Sequence, residues 1–127
     1  MNELQSALEQ EVYAVVGASN NKDKYGYKVF KFLENHNIKV YPINPNASQI
    51  EGTNCYGKLS ELPEKIDVVV TVVPPQISKK IAEEAGALEI EYLWMQPGSE
   101  FENAELYCEK LGLKCIVNEC IMVEMRG

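Results

Sequence analysis

The sequence predicts a three-layer α/β fold: an open parallel sheet of five strands, order 3-2-1-4-5, with helices on both faces. Three observations predict it. Short apolar runs alternate strictly with segments of helical periodicity. The runs are nearly continuous in Val, Ile and Leu, as strands buried on both faces of a parallel sheet require. No repeat or linker interrupts the alternation over 127 residues, a length that fits a single domain, 1–127. Right-handed crossovers supply the strand order.

Residues 2–10 read as a short amphipathic helix outside the sheet. Residues 12–17, VYAVVG, are the first strand, ending in glycine. From Tyr25 onward, Val29, Phe32, Leu33 and His36 recur at helical spacing, and Asn37 is a stop signal. Residues 39–43, KVYPI, form strand two, and GKLSELPEK adds one helical turn after it. Residues 67–73, DVVVTVV, are strand three, closed by Pro74-Pro75. Ile77, Ile81, Ala85 and Leu88 mark the next helix. Residues 91–95, EYLWM, are strand four. Ser99 with Glu102 carries a capping-box signature for a helix striped by Phe101, Ala104, Cys108 and Leu111 and stopped by Gly112. Residues 113–117, LKCIV, are strand five. Trp94 and Met95 read as core strand, and residues 121–125 as a loosely packed tail or an oligomer contact.

Charge and composition exclude several functions. The net charge of -7 is wrong for general nucleic-acid binding, which needs clustered Lys and Arg. Lys22, Lys24, Lys28 and Lys31 nevertheless gather in one stretch. No apolar run approaches a membrane span, and MNELQSALEQ lacks the pattern of a signal peptide. Cys55, Cys108, Cys115 and Cys120 show no zinc-ligand spacing and read as reduced thiols in the cytoplasm. The single histidine, His36, falls late on its helix and reads as a helix-end residue rather than a catalytic base.

In such a sheet, ligands bind beyond the carboxyl ends of the strands, beside strand one. The loop there is GASNNKDKYG. Gly17 permits a turn that a Cβ obstructs. Ser19 and Asn20 can donate to phosphate oxygens, Lys22 and Lys24 add charge, and the helix start near Tyr25 adds its amides and dipole. The loop is thus read as an anion clamp; otherwise it is a solvated surface loop. It matches neither GxGxxG, since the next glycine is Gly26, nor a Walker pattern. After strand two, Asn44-Pro45-Asn46 stands where dinucleotide sites place an acid for the ribose hydroxyls. Val73-Pro74-Pro75 reads equally well as a rigid apolar wall for an adenine and as plain strand termination.

GAS after the first strand, PxNP after the second, Cys55-Tyr56, VPP after the third, WMQPG after the fourth and Cys120 occur in that order. Their order and spacing resemble the small CoA-binding proteins. These are single Rossmann-like domains related to the CoA-binding domain of the succinyl-CoA synthetase alpha subunit and of ADP-forming acyl-CoA synthetases. The resemblance runs from about Tyr13 to Glu124. It implies that coenzyme A or an acyl-CoA lies across the strand ends. Ser19, Asn20 and Lys22 would hold its phosphates, with Gly17, Ala18, Lys24 and Tyr25 also in the cofactor site, and Asn44, Pro45 and Asn46 would border the nucleotide. Val73 and Pro74 would pack on adenine, with Gln96 near the pantetheine arm. Asn46 replaces a basic residue common in that family, and Ile121 its usual proline.

Four functions follow as expectations. The first is a CoA-binding module without catalysis, since no acid-base set accompanies the loop. The second is a thiol-redox protein forming a mixed disulfide with CoA through Cys120, whose alternative fate is a small buried hydrophobe. The third is a NAD(P)-linked regulator. The fourth is a subunit that docks to a separate protein, or a homo-oligomer.

Overall fold

The computed structural model describes residues 2–126. Helix α1 (Glu3–Leu8) precedes strand β1 (Val12–Val16), helix α2 (Tyr25–Asn35) and strand β2 (Lys39–Ile43). A small hairpin, β3 (Gln49–Ile50) and β4 (Thr53–Asn54), and one 3₁₀ turn (Leu59–Glu61) follow. Then come β5 (Val68–Thr71), α3 (Pro75–Ala87), β6 (Tyr92–Met95), α4 (Ala104–Lys110), β7 (Lys114–Ile116) and α5 (Ile121–Arg126).

The main sheet is parallel throughout, in the order β2-β1-β5-β6-β7. Five parallel strands with helices on both faces are as the sequence predicts. Counted by its five regular strands, however, the order is 2-1-3-4-5, with the segment read as strand three pairing with β1. The outer place beside β2 belongs to one parallel bridge, Ile43 with Tyr56. It is held by Tyr56 N–H donating to the Pro42 carbonyl at 3.0 Å and Asn44 N–H donating to that of Tyr56 at 2.9 Å. If this bridge is counted as the third strand, the order begins 3-2-1 and continues 4-5-6 through β5, β6 and β7. A strand reduced to one residue leaves no apolar run to read.

Period-two alternation explains the apolar runs. Tyr13 and Val15 face one layer with Val68, Val70 and Trp94, under α1, α2 and α5. Ala14 and Val16 face the other with Val69, Leu93 and Met95, under α3 and α4. A strand packed on both sides has no polar position to offer. Helix α2 turns Val29, Phe30 and Leu33 inward, and His36 ends it. The His36 ring stacks on Phe32, and its Nδ1 contacts the Phe32 carbonyl at 2.8 Å, as expected of a helix-end residue.

Three expectations are corrected. Ser99 does not open α4: Asn103, at φ 58, precedes that helix, and the buried Ser99 hydroxyl instead accepts from Val73 N–H at 3.1 Å. A polar residue near a helix start serves whichever free amide lies nearer. The tail is ordered as α5, with Ile121 buried and Met122 and Met125 packed on the core. Cys108 and Cys115 are joined as a disulfide, because the end of α4 and the start of β7 bring their Cα atoms to 6.3 Å. Cys55 and Cys120 are free.

Tyr13 gives the fold an alkaline limit. Its hydroxyl is buried and donates to the Ala7 carbonyl at 2.6 Å, tying β1 to α1. Burial, then the nearby Asp67 carboxylate, push its pKa up to about 12. In the unfolded chain a tyrosine ionises near pH 10. The unfolded state therefore sheds this proton first, and stability falls as pH rises between about 10 and 12. Urea midpoints across that range should drop, and Tyr13→Phe should flatten the drop. An identical slope in that variant would remove Tyr13 as the cause.

Candidate functional site

A cavity of about 630 Å³ opens at the carboxyl ends of β1, β2 and β5. It lies where the order of the sheet reverses, between β1 and β5. Gly17 forms its floor at φ +100, a conformation that glycine adopts without penalty. A Cβ there would stand 2.3 Å from the Val72 carbonyl oxygen. Gly17 N–H donates to the Ile43 carbonyl at 3.0 Å, so the floor is pinned to β2.

Two helix N-termini border the cavity. Helix α2 contributes Lys24, Tyr25 and Gly26, and α3 contributes Pro74 and Ile77. Neither first turn has a side-chain cap. The first amides of α2 and its positive dipole end make that side of the rim suited to an anion. On the α3 side, Pro74 and Pro75 have no amide to offer, and the Ile77 N–H already donates to the Pro74 carbonyl at 2.9 Å. Gly26 explains how α2 comes so near: a Cβ on it would stand 1.8 Å from the Gly17 carbonyl oxygen. The facing wall is apolar, built from Val72, Val73, Pro74, Ile77 and Ile81. Ser99 holds the Val73 amide from behind, which fixes that wall to the loop after β6. Cavities with apolar walls and a few convergent polar groups are the usual form of a small-molecule site.

The expected residues divide into two sets. Gly17, Ser19, Lys24, Tyr25, Asn44, Pro45, Val73 and Pro74 line this one cavity. Ala18 is buried beside it, its carbonyl accepting from the Asn44 amide at 2.9 Å. The same Asn44 side chain accepts from Asn46 N–H at 2.8 Å, which shapes the Asn-Pro-Asn turn. Ser19 Oγ likewise accepts from Asn21 N–H at 3.0 Å.

Asn20, Lys22, Asn46 and Gln96 are not among the lining residues. Asn20 donates to the Gln49 carbonyl at 2.8 Å and accepts from Glu51 N–H at 3.0 Å, tying the loop to the β3–β4 hairpin. Lys22 is exposed, 4.0 Å from Glu51. Gln96 is buried; it accepts from Ile121 N–H at 2.8 Å and donates to Cys120 Sγ at 3.4 Å. Of the other clustered lysines, Lys31 pairs with Glu34 and Glu51, and Lys28 lies over the Tyr25 ring.

Sequence reasoning missed Gly26 as a packing glycine, and it missed Gly57 and Lys58, which line the β2 side of the cavity. No motif marks Lys58; only the Tyr56 bridge carries it to the strand ends. Among the described residues no cluster of His, Cys, Asp and Glu has metal-binding geometry, and no helix is long and apolar enough to cross a membrane.

Residues 11–126 match the family described as "CoA binding domain". The acetate–CoA ligase (ADP-forming) of Methanocaldococcus jannaschii is 41% identical over 73 residues, 58% of this chain and 10% of that protein. The chain thus spans a small fraction of that ligase's length. A conserved hypothetical protein of Pyrococcus furiosus has a solved structure that superposes with a TM-score of 0.86 at 43% identity, over 91% of this chain and 99% of that one. The dinucleotide-forming acetyl-coenzyme A synthetase 1 of Ca. Korarchaeum cryptofilum, solved with phosphate and ADP, gives a TM-score of 0.79 at 29% identity, over 91% and 27%.

Proposed function

This chain belongs to the CoA-binding domain family, and from that premise we propose that it holds coenzyme A or an acyl-CoA at the strand ends without catalysing a step of its own. One observation carries the reading. The uncapped N-terminus of α2 and the Gly17 turn converge on a single cavity whose opposite wall, at the start of α3, is apolar. A ligand with phosphates at one place and a flat apolar ring at another fits that division, and CoA has both. In this reading the amides of Ser19, Tyr25 and Gly26, with Lys24, take the phosphates. Val73 and Pro74 take the adenine face, and Asn44 and Pro45 border the nucleotide.

The residues that do not line the cavity act by shaping its flanks. Asn20 steadies the phosphate loop through the hairpin, Lys22 adds diffuse charge, and Asn46 stiffens the turn. Gln96 holds the start of α5. That residues 1–127 work as one binding domain, in the cytoplasm, belongs to the same proposal. The free thiols of Cys55 and Cys120 support that location, and the Cys108–Cys115 bond weighs against it.

Calorimetry with CoA, acetyl-CoA, NADH and ATP tests the reading. CoA or acetyl-CoA should bind tightest, with acetyl-CoA recovered intact; tighter binding of NADH overturns it. The Gln96–Cys120 contact favours a second reading. The Cys120 thiolate would attack an oxidised CoA disulfide, forming a protein–CoA disulfide and releasing one CoA thiolate. Intact-mass measurement after treatment with oxidised CoA decides it, since no adduct on Cys120 ends the idea.

A further inference from the structure

We infer that Lys58 sets the ligand class of this cavity by selecting adenine nucleotides that carry a phosphate on the ribose. The inference rests on the CoA-binding reading and extends it to a residue outside the phosphate loop. In sheets of this kind, the group at the end of the second strand meets the ribose: an acid there takes free hydroxyls, and a cation takes a ribose phosphate. Here the residues nearest that strand end are already engaged. The Asn44 side chain is spent between Ala18 and Asn46, and Asn46 does not line the cavity.

Lys58 does line it, and it arrives from a separate segment. The Ile43–Tyr56 bridge lays residue 56 against the edge of β2, and two residues later Lys58 faces the same opening as Asn44. Among the described residues Lys58 is exposed and makes no ion pair. The neighbouring carboxylate of Glu61 is occupied, accepting from Gly57 N–H at 3.0 Å. The second cation of the cavity, Lys24, belongs to the α2 rim where the diphosphate lies. The two lysines therefore divide the ligand: one serves its diphosphate, the other its ribose phosphate.

Dissociation constants for CoA and 3′-dephospho-CoA, measured with the wild-type chain, Lys58→Ala and Lys58→Arg, test this. The wild type should prefer CoA by about tenfold or more, the scale of one charge-assisted contact. Lys58→Ala should bind CoA no better than dephospho-CoA, with its affinity for dephospho-CoA unchanged. Lys58→Arg should restore most of the preference. An equal loss for both ligands, or no loss, overturns the assignment while leaving the CoA reading intact. A wild-type chain that binds neither compound overturns the CoA reading, and the assignment with it. Melting curves of the variants should coincide, since Lys58 is exposed and outside the core.

Discussion

Gly26→Ala should lower the melting temperature by about 10 °C and abolish ligand binding, although alanine is the better helix former. Two effects compete. Alanine gains roughly 1 kcal/mol over glycine in a helix interior, and less at Gly26, the second residue of α2. Against that, the new methyl would sit 1.8 Å from the Gly17 carbonyl oxygen and 2.8 Å from its carbon. That obstacle cannot step aside. Gly17 is tied to Ile43, and the neighbouring Val16 carbonyl accepts from Val72 N–H at 2.9 Å, so both adjoining strands hold it. Helix α2 must therefore retreat by more than an ångström. It would take with it Val29, Phe30 and Leu33, which fill the core beneath. Overpacking a rigid contact on this scale costs more than the propensity gain, leaving a net loss on the order of 3 kcal/mol, or about 10 °C for a domain of this size. The same retreat draws the first-turn amides of α2 away from the cavity. Thermal melts with CoA titration read both effects. A variant as stable as the wild type, or more so, would show that α2 does not rest on Gly17.

That glycine also shows what a linear reading of this chain gains and loses. The usual dinucleotide turn uses closely spaced glycines for the turn, the ligand approach and the helix contact. Here Gly17 makes the turn and Gly26 makes the helix contact, with the loop from Ala18 to Lys24 bulging between them. The sequence reading finds the first and rejects the second as too late. Spacing along the chain is a poor guide to contact once an excursion intervenes. Strands are readable because burial on both faces leaves an unbroken apolar run, as in VYAVV and VVVT. The Tyr56 bridge is not readable, because one residue carries no period, and Lys58 is lost with it. Ser99 misleads for a different reason. Its hydroxyl serves the nearest free amide, and in the folded chain that is Val73, 26 residues upstream. Local signals name what a side chain can bond; tertiary distance decides what it does bond.

Trp94→Ala should cost about 3–5 kcal/mol, the largest loss from any single truncation on the α1–α2–α5 face. Trp94 is fully buried in the middle of β6, opposite Val70 on one neighbour and Ile116 on the other. Truncation removes the apolar transfer energy and leaves a void that close-packed strands fill poorly. It also strands a polar partner: the indole N–H donates to the Glu119 carbonyl at 2.8 Å. Trp94→Phe separates the two effects, since it keeps most of the volume and removes only the donor, at about 1–2 kcal/mol. The loss should be concentrated where the bond acts. Glu119 precedes Cys120 and α5, and among the described residues Gln96, of the loop after β6, also hydrogen-bonds to that helix start, through Ile121 N–H. Amide hydrogen exchange should therefore quicken over 119–126 in Trp94→Phe, while the amides of β1 and β5 keep the wild-type pattern. Urea unfolding followed by circular dichroism gives the global numbers. A loss under 1 kcal/mol for Trp94→Ala, or exchange that quickens evenly over the sheet in Trp94→Phe, would mean that Trp94 does not anchor the segment carrying Cys120.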